Sequence, residues 1–554
     1  MKKCLWILSV LLSPPLWGQE QEVMRAAMYV FGASSAEELT EEQIEAIDGA
    51  RPVQVNSAGL RPGVLLSAYQ VASIKDYRSR SGDILSLAEL ALVDGFSFEA
   101  VEALKPYLRF GSTRLPGKAD TVKVKSTAIA RATLSNAGVK FRTEGESFRA
   151  GGAVRYAYVA PLKDIQWSLH GEWTGERLRI VAGHYNLRYG LGLSNWTGFM
   201  LASLSTVDAF SPRAPGIVPA WSYNPSDLPF GAAAEYRIGK GWQAGAFASV
   251  SGLFGGRADW YGRSGQAGLT AYYSNGFCAS FDTRWSFKGV QTTFEAAYGR
   301  GSFAGKTAVL IPLGESFRLA FQGRIIPSRY SGKKNGEYAI ATGFDWVSEA
   351  RRQLSGVTGF GSSVPAHKAS ITLDASLLPV PGVDPRRLQV RGYATWQWQI
   401  SGFWALDLRL TERYRNYESP RMDIRADLRF GSGPFTSALR TEAVRCEGWG
   451  LLSYLEGGYK KDIGKRLSAL AAYIRITGFA IDRWNDRIYV YERDAPGTFS
   501  VPAYYGRGGA ISASGSVKWR FSHLDFRINL RAAGLFRIGR PFAPTLNLQL
   551  QATF

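Results

Sequence analysis

Residues 546–554 read Leu-Asn-Leu-Gln-Leu-Gln-Ala-Thr-Phe. Apolar side chains at 546, 548, 550 and 552 alternate with polar ones at 547, 549, 551 and 553, and the stretch closes on an aromatic. A period of two means an extended strand with one apolar and one polar face.

The same rhythm recurs upstream. In 121–134, Val122, Val124, Ala128, Ala130, Ala132 and Leu134 fall on one face, with Lys123, Lys125 and Arg131 on the other. In 388–400, Leu388, Val390, Ala394, Trp396, Trp398 and Ile400 oppose Gln389, Arg391, Gln397 and Gln399. In 523–532, Leu524, Phe526, Ile528, Leu530 and Ala532 oppose His523, Asp525, Arg527, Asn529 and Arg531. A soluble sandwich would bury the apolar face; a transmembrane barrel would turn it to lipid and the polar face to a lumen. Strands of about ten residues suit a tilted membrane crossing. Full charges on the polar face suit a wet lumen. Trp396, Trp398, Tyr272, Tyr273, Tyr504 and Tyr505 recur where strand ends would meet the membrane interface. The 546–554 stretch also resembles the terminal-strand signal of bacterial outer-membrane barrels, which implies that Leu550, Ala552 and Phe554 are read by the barrel-assembly machinery. A last strand must also pair with the first, because a lipid-exposed edge leaves backbone groups unsatisfied. The expected fold is mainly β: a large antiparallel transmembrane β-barrel over 119–554, of about 18–22 strands at roughly 20 residues per strand and turn. Ser203–Pro229 and Phe479–Gly508 are candidate inserts.

High glycine (61 of 554 residues) and 13% aromatics, with only three cysteines and four histidines, fit many turns and strands better than a helical enzyme. Residues 1–18 have the form of a secretory signal peptide: Lys2 and Lys3, an apolar run, then Gly18 before Gln19. Cys278 and Cys446 then remain, as a disulfide or as two idle thiols. Beyond the leader no run of 18 apolar residues suggests a membrane-spanning helix. Residues 19–110 carry 14 acidic and 8 basic side chains, a net of −6, whereas 111–554 carry +24. The positive charge thus belongs to the long part, consistent with a lumen that favours anionic cargo or with contact to anionic lipid head groups.

Residues 19–50 read as a helical segment. Ser35 with Glu38 and Thr40 with Gln43 are capping-box pairs. Within 51–110, Val71, Ile74 and Arg78 share one helical face and Gly82 is a stop. Ser86 with Glu89 starts another helix, 93–96 is a tight turn, and 97–104 forms the last helix, closed by Pro106. On Val55-Asn-Ser-Ala58, Ile74-Lys-Asp-Tyr-Arg78, 87–96 and Glu102-Ala-Leu-Lys-Pro-Tyr107, this part resembles the tandem helix-hairpin-helix domain of competence-type DNA receptors. With the barrel stretches 181–193 and 486–506, the whole resembles a family of exported helix-hairpin-helix proteins of Bacteroidetes-type bacteria. The resemblance implies a periplasmic all-α head ahead of an outer-membrane barrel.

By that resemblance, nucleic acid would be held by Gly95, Phe96 and Ser97 at the hairpin and by Lys75, Arg78, Arg80, Lys105 and Arg109. The residues themselves speak against a strong grip. The first turn lacks glycine, Ser97 replaces the second hairpin glycine, and 53–109 balance six acidic against six basic side chains. No metal spacing, cofactor motif, nucleophile elbow or phosphate loop is legible, so cofactors and metals are expected to be none. Tyr489, Tyr491, Glu492, Tyr504 and Tyr505 shape a ligand site or simply pack. The leading expectation is a non-enzymatic barrel that passes or docks a ligand, DNA or another anion, with the head as its periplasmic recognition or gating element. A structural component whose residues 19–110 dock a periplasmic protein is the second. A barrel-housed hydrolase built around His184 or His523 is the third.

Overall fold

The computed structural model describes residues 19–554 apart from 58, 112–123, 162–163, 198–203, 226–227, 240, 263, 315, 332–335, 349, 353–362, 366, 380–386, 465 and 522. The expected signal peptide lies outside the described residues.

From Lys125–Thr133 to Ala543–Thr553, 24 strands pair antiparallel with their neighbours. The first and last strands close the ring, with Thr127 opposite Thr553 and Thr133 opposite Asn547. The ring exceeds the expected 18–22 strands because its hairpins are tight: a strand with its connection averages about 18 residues. Lys288-Gly289 and Arg300-Gly301 show why. Each pair joins two strands with both residues at positive φ (48° and 81°, 52° and 71°), the two-residue turn whose twist matches that of the strands.

The alternation falls as read. Outward, Leu269, Phe281, Ile371, Leu455, Ile476 and Leu530 are exposed apolar side chains, while inward neighbours such as Glu295, Arg475 and Arg531 are buried. No described helix is long and apolar enough to cross a membrane; around the ring each strand pairs with two neighbours, which satisfies the wall's backbone groups as a membrane-crossing barrel requires. Trp396 and Trp398 stack with His367 near one strand end, as an interface girdle would place them. Tyr504 departs from the expectation. It is buried inside the ring with its hydroxyl on Glu492, because residues 482–505 form an insert rather than a strand end.

Two long connections fold into the lumen from the side opposite the termini. They are 189–229, between Leu178–Arg188 and Phe230–Arg237, and 482–505, between Leu467–Ile481 and Gly506–Phe521. The helices enter from the terminal side: α1 (Gln19–Phe31), α2 (Glu41–Asp48), α3 (Ala68–Ser81), α4 (Leu87–Leu90) and α5 (Phe98–Leu104). They share one core, with Ala26, Ile47, Ile74, Ile84, Leu90 and Leu104 fully buried.

Local signals explain the helix ends. Thr40 and Gln43 form the expected capping box on α2. Ser67 and Gln70 form one on α3, in the hairpin turn that lacks glycine. Ser35 does not cap; Ser34 binds Glu38 instead, through N (2.8 Å) and Oγ (2.7 Å). Buried Asn56 pins two parts of the head by giving a hydrogen bond to Ile84 O (2.8 Å) and taking one from Ile84 N (2.9 Å).

Candidate functional site: a carboxylate lock inside the lumen

The head's negative charge is not spread evenly. Residues 19–52 hold eight acidic and two basic side chains, which is its entire net of −6. That segment lies in the lumen against the wall's cations. Glu37 sits between Arg425 and Arg440 on two neighbouring strands, with Arg425 Nη1 at 3.2 Å, and it also accepts the N–H of Tyr491 (3.2 Å) from the second insert. Asp427 completes the square, accepting from Arg425 Nε (2.7 Å) and Arg440 Nε (2.5 Å). Glu41 faces Arg131 (3.6 Å), Glu42 pairs with Arg188 and Glu45 pairs with Lys140. Glu38 accepts from Ser205 Oγ (2.5 Å) of the first insert, and Arg409 donates to Ser35 Oγ (2.9 Å).

These carboxyls respond to burial differently. Burial pushes Glu37 up, but Arg440, Arg425 and Arg409 outweigh it and hold the carboxyl well below the ordinary value. For Glu45 burial wins: the single Lys140 beside it does not compensate, Glu41 adds repulsion, and the carboxyl is pushed up to about 7. Head, wall and both inserts meet here around a cavity of about 20 Å³ lined by Glu45, Lys140, Trp221, Gly497 and Gln549, room for one water.

Each insert is held by a carboxylate ringed with backbone N–H groups. On the wall, Glu295 accepts from the N–H groups of Leu191 (2.5 Å), Leu193 (3.1 Å) and Ser194 (3.3 Å). Gly190 and Gly192 at φ 60° and 86° turn that loop inward, and a Cβ on Gly190 would lie 2.6 Å from the Glu295 carboxyl carbon. This gives a physical reason for the Tyr-Gly-Leu-Gly-Leu stretch at 189–193. On the second insert the roles reverse. Asp486 accepts from the backbone N–H groups of Cys446, Glu447 and Gly448 at 3.0–3.1 Å in a wall hairpin. Glu492 is buried between the Tyr504 hydroxyl and Arg531, so the candidate cluster on this insert packs it into the wall. Tyr491 and Phe499 pack on the head's core, Tyr489 lies beside Arg487, and Tyr505 packs on Trp484 and Arg537.

The sequence-predicted nucleic-acid residues lie in the other half of the head, at the mouth. Gly95 adopts φ 79° against the Tyr69 ring, and its carbonyl accepts from Gln70 (3.0 Å). Ser97 caps α5 through Ala100 N (3.1 Å). Phe96 packs against the head's core. Arg78 pairs with Asp83 (3.2 Å), Arg80 with Asp76, and Lys105 with Glu102 (3.7 Å). Arg109 donates to the carbonyls of Pro106 (3.0 Å) and Leu108 (2.8 Å), while Lys75 is exposed. The carboxylates of the lumen lock were not among the sequence-predicted site residues. Their signal was the spacing of Glu37, Glu38, Glu41, Glu42 and Glu45 in a chain whose long part is strongly basic.

His184 sits between the Trp167 and Phe230 rings and accepts from Leu169 N (3.3 Å), and His523 lies in an exposed turn. Cys278 and Cys446 are both free. Among the described residues no group of His, Cys, Asp and Glu could hold a metal ion.

No family model matches this chain, and no curated protein does. Solved structures of similar shape include the ferric-catecholate import receptor Fiu of E. coli K12 (10% identity, 78% of this chain and 82% of that chain, TM-score 0.33). The translocation pore of the P pilus usher PapC (8%, 78% and 98%, TM-score 0.36) and OccK3 of Pseudomonas aeruginosa (10%, 78% and 94%, TM-score 0.29) are further ones.

Proposed function

We propose that this protein is a non-enzymatic outer-membrane barrel that passes or docks a ligand, with its helical head as a periplasmic gate standing in the lumen. The observation that carries this reading is Glu37, held by two wall arginines and by the backbone of the second insert. The orientation rests on connection length. The two lumen-entering inserts leave from one side and mostly short turns lie on the other; in barrels of this class the longer loops face outward and the short turns face the periplasm. The sequence of 1–18 agrees with export.

The helices and the Gly95 turn fit a helix-hairpin-helix head. On this reading its hairpin is a structural mount at the mouth: the hairpin carbonyl is engaged and three of the five candidate cations already sit beside acids. DNA as the ligand is the specific version, tested by adding duplex DNA to the full chain at low salt. A shift that weakens as salt rises supports it, and no shift removes it. Leu550, Ala552 and Phe554 are proposed as the contact for the barrel-assembly machinery. A second reading rests on Leu85 (60% exposed) and Leu92 (75% exposed), apolar side chains on the head that a periplasmic protein would cover.

The test of the gate is conductance in planar bilayers. The full chain should be closed for most of the time, and Glu37→Gln with Glu42→Gln should raise its open fraction at least tenfold. An unaltered open fraction would overturn the gate.

A further inference from the structure

The wall holds two kinds of cation. Arg257 is closed by Asp259 and Asp282, Arg324 by Glu337 and Asp374, and Arg475 by Glu456, all within the barrel. These need nothing from the head. Lys140, Arg188 and Arg131 are different: the acids they pair with are Glu45, Glu42 and Glu41 of the head. Arg425 and Arg440 share Asp427, so without Glu37 two cations face one anion. Withdrawing the segment would therefore bare about four positive charges inside the lumen of a barrel whose sequence is itself net basic. Of the carboxylates that cover them, Glu41 or Glu42 and Glu45 lie about one helical turn, ~5.4 Å, apart on α2, and Glu37 precedes them across the extended residues Leu39 and Thr40. Covering groups of that type and spacing also occur along a polyanion. A purely structural plug needs only shape and a few pairs, whereas this one sets Glu37, Glu41, Glu42 and Glu45 each against a wall cation.

We infer that the acidic segment Glu37–Glu45 holds the place of a polyanionic ligand, a solute or chain with several carboxylate or phosphate groups, which enters by displacing this segment from the same cations. The inference rests on the gate reading and names its cargo.

The experiment uses the full chain in planar bilayers, with inorganic tripolyphosphate and triglutamate as the phosphate and carboxylate probes. Channels opened by Glu37→Gln with Glu42→Gln should be anion-selective in a salt gradient. At least one probe should block them, more weakly as salt rises, and Arg188→Gln should weaken block at least tenfold. Which probe blocks better distinguishes the two anion chemistries. Opening without anion selectivity, or without block by either probe, overturns the polyanion while leaving the gate intact; no opening overturns the gate and this inference with it. A measurement on the unaltered chain covers a variant that fails to fold. Either probe should speed protease cleavage of residues 19–50 at least fivefold over sodium chloride of equal ionic strength, and equal rates with probe and salt overturn the displacement.

Discussion

The two halves of the head make opposite use of charge. Residues 19–52 carry its whole negative excess and spend it on wall cations deep in the lumen. Residues 53–109 are balanced and touch the rim mainly through backbone carbonyls: Arg61 donates to Glu176 O (3.3 Å) and Arg237 to Gly59 O (3.1 Å). Their ion pair with the wall, Lys368–Glu99 (2.8 Å), uses an exposed glutamate. The half that resembles a known motif thus makes the shallow contacts at the rim, and the half that resembles none makes the buried ion pairs of the lock. A motif marks a fold that recurs, whereas a lock is fitted to one particular wall.

That contrast orders the expected effects. Glu37→Gln leaves Arg425 and Arg440 with one carboxylate between them, and stranding buried charge costs about 3–5 kcal/mol. Limited proteolysis of the full chain should cut 19–50 at least 100-fold faster; an unchanged rate would make both halves mere mounts.

Glu45 sharpens the contrast through pH. Its carboxyl in the docked head is raised to about 7 from 4.5, so the docked state holds a proton that the released state has lost between those values. Docking should therefore weaken as pH rises from about 5 to 7, by up to about 3 kcal/mol, and level off above. Glu37 runs the other way: its lowered value contributes stability above the ordinary carboxylate range, lost only as pH falls below it. Thermal melts over pH 5–8 should show the decline, and Glu45→Gln should flatten it. A decline of equal size in that variant would assign it to another group.

Glu295→Gln weakens three charge-assisted bonds to the first insert, about 1.5–3 kcal/mol. Hydrogen exchange should rise at 190–194 and remain unchanged at 446–448, where Asp486 does the holding. The smallest effect is expected at the mount: Glu99→Gln removes an exposed pair and should change head docking by less than about 1 kcal/mol in the same proteolysis. A larger loss would move part of the lock to the mouth.

The barrel was legible because each strand must repeat one decision, apolar out and polar in, and Leu546–Phe554 shows that decision without interruption. Strand number was less legible, since it depends on turns such as Lys288-Gly289 that consume only two residues. α2 was marked by Thr40 and Gln43 because a capping box is local. The pairing of Glu37 with Arg440 was not legible. It joins positions some 400 residues apart, and only the closed ring with a head inside brings them together. Tyr504 was misplaced for the same reason: an aromatic beside a strand reads alike whether it faces lipid or an inward-folded insert.

The most direct test of the lock is a distance probe across it. In the full chain with Cys4, Cys278 and Cys446 changed to serine, Ser35→Cys with Arg409→Cys, a contact of head and wall (2.9 Å) that leaves Glu37, Arg425 and Arg440 in place, is treated in membranes with a short bifunctional thiol reagent. Thr441→Cys with Ser453→Cys, whose native hydroxyls lie 3.1 Å apart on neighbouring strands, serves as the barrel control. The account predicts that both pairs cross-link to similar yield; a control that cross-links beside a 35–409 pair that does not would place the head outside the lumen.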